Sequence, residues 1–292
     1  MIKTSTKFTL SAILILWTSI SVAQSPLGPF MQGKNKKSFV LSYYSETYNR
    51  LYNTKDVSNT RAQTSVKSSS YNLFTTIGLS NKIDFQFNLS YASASGEITE
   101  EVIDNANGIN SREGLQDFSF FTKYLFKEIK AKNSSLSLIG ATGISFPVGN
   151  YKVENELESV VSIGSRSNQF TNLFVANYKL SSGLFLIGTG GYSIRGNAVP
   201  NALISEAKLG FAGSFIYFDV FYANQHSPTK DSFDTTTGQP IFQVSNVNFS
   251  RIGLNVYIPI IKKVGLAGGA NRYTSGLSKN EIGGYGALIF NL

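Results

Sequence analysis

The chain has no cysteine, seven prolines, one histidine and one tryptophan in 292 residues, and charged residues make up only 15% of it. Without cysteine it can carry neither a lipid anchor nor a disulfide. The lone histidine, His226, rules out the usual zinc-binding sets. A soluble domain has roughly 25% charged residues, so something other than water must face part of this protein. Long apolar runs are also missing after the first 23 residues, which leaves no helix of about 20 apolar residues to cross a bilayer. Length alone allows one large domain or two ordinary ones.

What is abundant is Gly (26), Phe (22) and Tyr (15). The one apolar run, Thr9 to Ile20, follows Lys3 and Lys7 and precedes Ser21 and Ala23 flanking Val22. It reads as a cleavable signal peptide over residues 1–23, with Gln24 as the new N-terminus, and is too short for an anchor helix. Losing Lys3 and Lys7 leaves 24 bases against 18 acids, about +6. Bases gather in the N-terminal stretch (Lys34, Lys36, Lys37) and the short turns (Lys82, Lys127, Lys130, Lys132, Lys179, Lys262, Lys263), whereas acids occupy long loops (Glu97, Glu100, Glu101, Asp104, Glu113, then Glu154, Glu156, Glu158). The two ends of the molecule differ in sign, and no basic, aromatic face is set apart for nucleic acid.

From residue 37 onward the chain repeats segments of alternating or near-continuous apolar character without a helical period. Twelve strands are expected, near 37–48, 68–80, 83–95, 114–126, 134–146, 168–180, 183–195, 202–212, 215–226, 244–258, 263–274 and 280–292. Their connections alternate between short and long, with one short exception at 275–279, as in an up-and-down barrel whose rims face different compartments. Phe85, Phe87, Leu89 and Tyr91 alternate with Asp84, Gln86, Asn88 and Ser90; Phe118, Phe120, Tyr124 and Phe126 alternate with Asp117, Ser119 and Lys123, with Phe121 out of step. The expected fold is therefore all-β: a transmembrane antiparallel barrel over 37–292, preceded by a periplasmic segment at 24–36, in the cell outer membrane as a monomer among lipid and lipopolysaccharide. On the last strand Gly284, Gly286, Leu288, Phe290 and Leu292 share one face, resembling the terminal signal read by barrel assembly machinery.

Several stretches resemble a family of outer-membrane barrels associated with the meta-pathway of phenol degradation, described as transporters. Gly114-Leu115-Gln116-Asp117 with Lys123-Tyr124-Leu125 is similar to its Gly-Leu-Gly-Asp strand ending in Lys-Tyr. Leu136 to Phe146 running into Pro147-Val148-Gly149-Asn150 is similar to its strand ending in Pro-Thr-Gly-Asp, departing at Val148 and Asn150. Asn177-Tyr178-Lys179-Leu180 and Gly190-Gly191-Tyr192 are similar to its hairpin of a Tyr-Arg-Leu turn followed by Gly-Tyr. The resemblance spans roughly 110–292 and implies a passive carrier or channel for small apolar or aromatic molecules.

Enzyme chemistry finds little support: His226 stands beside Ser227 with no acid at a helpful spacing, so no catalytic residue, cofactor or metal site is assigned. Glu154, Glu156 and Glu158 read as a solvated acidic loop. Strand parity points six charged residues into the lumen, Asp117, Lys123, Glu206, Lys208, Asp219 and Arg251, expected to pair as a network that braces the barrel or forms a polar constriction. Tyr217 and Phe221 share the inner face with Asp219 as lumen aromatics, while strands six, seven and eleven fit either orientation. Pro26 to Met31 is an apolar segment suited to tuck into the barrel from the periplasmic side. The readings left open are a passive pathway for small hydrophobic or aromatic solutes, a sealed structural or binding barrel with acidic outer loops, and an embedded hydrolase using His226 and Ser227.

Overall fold

Hydrocarbon offers no partner to a peptide N–H or C=O, so ribbons that are apolar on one side must pair edge to edge until no edge remains. The computed structural model describes residues 27–53, 61–97, 111–150, 163–164, 166–196, 199–228, 248–276 and 282–292, with side chains described outside 48–53, 61–66 and 97. The leader, the Glu154, Glu156 and Glu158 trio and the expected start of strand ten at 244–247 lie outside the described residues.

Twelve antiparallel strands form a closed barrel: β1 (Lys37–Asn53), β2 (Arg61–Gly78), β3 (Ile83–Glu97), β4 (Ser111–Leu115 and Asp117–Ala131, interrupted at Gln116), β5 (Ser134–Pro147), β6 (Gln169–Leu180), β7 (Leu184–Arg195), β8 (Ala202–Ala212), β9 (Tyr217–His226), β10 (Phe249–Ile261), β11 (Val264–Gly276) and β12 (Ile282–Asn291). Each pairs with its neighbours in chain order, and β12 returns to β1 in an unbroken register from Ser38↔Asn291 to Thr47↔Ile282. At the β4 interruption the Gln116 N–H still donates to Ser90 O at 2.9 Å, so the seam with β3 stays closed.

The strand count agrees with the alternation in the sequence, but several strands are longer than expected. β1 and β2 stay in register out to Asn53↔Arg61, and β4 runs on to Ala131 through the lysine-rich stretch that looked like a turn. Beyond the hydrocarbon a strand can carry charge at no lipid cost, so apolar alternation stops before hydrogen bonding does.

Side-chain exposure inverts the order of a soluble protein. Leu41, Phe174, Leu186, Leu209, Val220 and Leu254 are 47–56% exposed, whereas Asp84, Gln86, Lys123 and Asp219 are at most 2% exposed. The greasy face therefore meets lipid and the polar face lines the interior, as alternation in β3 and β4 predicts. We expect Leu254→Arg, outward in the middle of β10, to destabilise the barrel by about 2–4 kcal/mol, read as a lower urea midpoint for loss of the fast-migrating unboiled gel band.

Candidate functional site: the barrel lumen

A barrel of this size has an interior that side chains alone can partly fill. Here the short-turn half is filled by the chain's own N-terminal segment. Leu27 is 3% exposed and joins a cluster with Phe121, Ile139, Leu173, Val175 and Phe185, against which Phe30 and Met31 also pack. The Phe30 ring meets Phe185 edge-on at 5.4 Å and Tyr217 at 6.3 Å, with Lys179 Nζ 5.8 Å from its centroid.

This contact explains two irregularities in the sequence. Phe121, which breaks the outward aromatic rhythm of β4, points inward beneath the N-terminal segment. Its ring lies over Gly143 on β5, where an added Cβ would come within 2.2 Å of it. Strands β5 to β7 are apolar on both faces because one face meets lipid and part of the other meets this segment. Inward Ile139, Val175, Phe185 and Ile187 are buried while outward Ile144, Phe174 and Leu186 are exposed.

Polar contacts hold the segment's backbone. Lys123, 1% exposed, donates from Nζ to Gly28 O at 2.9 Å and Phe30 O at 2.5 Å, and lies 3.5 Å from Asp84 Oδ2. Asp84 Oδ2 accepts from the Gln32 N–H at 2.7 Å, Gln86 Oε1 from the Gly28 N–H at 3.3 Å, and Pro29 O from Asn177 Nδ2 at 3.2 Å. The chain then leaves the lumen through a tight turn in which Gly33 (φ 87°) and Asn35 (φ 61°) are left-handed. Gly78 receives that turn: its N–H and C=O bond to Lys36 O and the Asn35 N–H, both at 2.8 Å, and an added Cβ would lie 1.9 Å from Gly33 O.

All six charged residues expected in the lumen lie on inward-facing strand positions, but as separate clusters rather than one network. Lys123 pairs with Asp84, an acid absent from the expected set although its strand face was legible. Lys208 Nζ sits 3.3 Å from Glu206 Oε1, an ion pair without hydrogen-bond alignment, and 5.7 Å from the Phe221 ring. Asp219 has neutral donors, Tyr217 Oη at 2.5 Å and Asn255 Nδ2 at 2.9 Å. Asp117 and Arg251 line a cavity of about 340 Å³. Of the two expected aromatics, Tyr217 stacks on Phe185 at 5.5 Å beneath Phe30, and Phe221 is buried over Gly253.

The cavity extends from Phe121, at the N-terminal segment, to Arg195, Gln225 and Arg251 near the long-loop ends of β7, β9 and β10. Its aromatic lining is Phe74, Phe121 and Phe249, not Tyr217 and Phe221. Arg195 was missed because β7, apolar on both faces, gave no parity. His226 is exposed at the end of β9, while Ser227 is buried and its N–H donates to Asn248 Oδ1 at 2.6 Å. Among the described residues no group of three His, Cys, Asp or Glu side chains is placed to hold a metal ion.

Replacing Lys123 by Met strands Asp84 and two backbone carbonyls in the interior, a loss of about 3–5 kcal/mol for a broken buried pair. The expected readout is faster protease cleavage of the N-terminal segment in the folded barrel, partly reversed by adding Asp84→Asn.

No known family profile matches the sequence, and no curated protein matches it. Among solved structures, the chain is similar to an outer membrane channel from Pseudomonas putida F1 (TM-score 0.66, 9% identity, covering 92% of this chain and 100% of that one). It is also similar to the translocator domain of autotransporter NalP from Neisseria meningitidis (TM-score 0.46, 10% identity, 88% of each chain). At these identities the likeness is one of fold. The closed twelve-stranded sheet, its apolar exterior and the fold shared with the Pseudomonas putida protein make this protein an outer-membrane β-barrel.

Proposed function

We propose that the protein is a passive pathway for small solutes with an aromatic or apolar body, crossing the outer membrane through the lumen and gated by residues 27–34. The observation that carries this reading is the cavity of about 340 Å³, within the range of small-molecule sites, whose wall reaches Phe121, the side chain that clusters with Leu27 of the N-terminal segment. A wall of the barrel could not move without breaking the strand ladder. The segment is held by side chains and one turn, and can be displaced with the ladder intact. The resemblance to barrels of the phenol-degradation meta-pathway supports an aromatic class of solute.

The second reading, a sealed binding or structural barrel, is favoured by the same segment's fit: a buried lysine on two of its carbonyls and Leu27 in an apolar cluster. Deletion separates the two. In liposomes, removing residues 27–33 from the mature chain is expected to raise single-channel conductance and uptake of neutral aromatic solutes several-fold. Unchanged conductance and no uptake in either form would leave only the sealed barrel. A hydrolase reading predicts that His226→Ala abolishes turnover of ester substrates; equal background in both forms removes it.

A further inference from the structure

Two arginines share the cavity, and among the described residues their donors are incompletely used. Arg195 gives Nη2 to Gln225 Oε1 at 2.7 Å and Nε to Ser193 Oγ at 3.4 Å, which leaves the rest of its five-donor fork without a partner among them. Arg251 lies with its guanidinium carbon 5.3 Å from the Phe249 ring centroid, and its buried Nε has no hydrogen-bond partner among the described residues. On the neighbouring strand Asn271, opposite Gly253 and 4% exposed, likewise leaves Nδ2 and Oδ1 without a partner among them. Buried donors left unpaired cost free energy, and a guanidinium fork is matched in geometry by a carboxylate.

We infer that the cavity binds a small organic anion, a carboxylate on an aromatic or apolar body, with its charge at Arg195 and Arg251 and its body toward Phe121 and Phe74. This inference rests on the reading of the lumen as a solute site and names its ligand class. Of the acids that line the cavity, Glu206 is paired with Lys208 at 3.3 Å, which leaves the Asp117 carboxylate against two guanidinium groups. A neutral hydroxyl or carbonyl could accept from the Arg251 donor but would bring neither the charge nor the two-oxygen match of a carboxylate. A cation would bring no acceptor to it.

The test is calorimetric binding to the full mature chain in detergent, using benzoate, benzyl alcohol and benzylamine as probes of similar size. Benzoate is expected to bind at least about tenfold tighter than benzyl alcohol, close to 1.4 kcal/mol. Arg251→Gln should bring benzoate down to the benzyl alcohol level with benzyl alcohol itself unchanged, and Arg251→Lys should restore part of the difference. If Arg251→Gln loses the fast-migrating unboiled band, Arg195→Gln takes its place with the same expectation. Benzoate binding no tighter than benzyl alcohol, or an undiminished preference in the folded variants, overturns the inference. Liposome flux separates it from the parent reading: benzoate bound with no solute crossing upholds the anion site and ends the pathway, whereas unselective crossing without benzoate preference does the reverse.

Discussion

Every backbone N–H and C=O that lies in hydrocarbon must find its partner within the protein, and for strands that requirement is met only when the last one pairs with the first. Here β12 meets β1 over ten residue pairs from Ser38↔Asn291 to Thr47↔Ile282. Closure then dictates the rest. One face of every strand looks at lipid, the other looks at the inside of a tube, and whatever the tube contains must satisfy the groups that line it.

The contents are unevenly distributed. On the β1–β3 side the inner wall is polar and satisfies itself across strands, as when Gln86 Nε2 donates to Thr76 Oγ1 at 3.1 Å and Ser90 Oγ to Asn72 Oδ1 at 2.6 Å. On the β5–β7 side it is apolar near the short turns, and bare apolar wall facing water would be costly. The N-terminal segment resolves both problems together: Leu27, Phe30 and Met31 cover the apolar wall, while Lys123, Asp84, Gln86 and Asn177 take up the segment's peptide groups. Lys123 is central because its ammonium joins the buried Asp84 carboxylate to two carbonyls of the segment. Taking such a charge out of water is tolerable only with partners of this kind.

Above the segment the interior changes character. The floor of the cavity is aromatic and its upper end carries Arg195, Gln225 and Arg251, so a molecule with a greasy body and a polar head would find each part matched at a different depth. Charges in the lumen are thus divided by task. Asp84 and Lys123 hold the segment, Glu206 and Lys208 neutralise each other on β8, and Arg251 near the long loops keeps an Nε donor without a partner among the described residues.

The sequence by itself determined the architecture. Period-two alternation in β3 and β4, loops sorted by parity and the absence of any spanning helix are consequences of lipid on one side and a lumen on the other, and they are local enough to read along the chain. Parity likewise put Asp117, Lys123, Glu206, Lys208, Asp219 and Arg251 on the inner face. It did not say which of them meet, because partners across a barrel are set by register and stagger, which no single strand encodes. Nor did it resolve β6 and β7, where an inner surface that packs against protein is as apolar as an outer surface that packs against lipid. Only the tertiary structure decided that Phe121, inward by parity, is covered by Leu27, that Arg195 joins Arg251 at one cavity, and that residues 27–32 occupy the tube. Those facts depend on segments far apart in the chain competing for one enclosed volume.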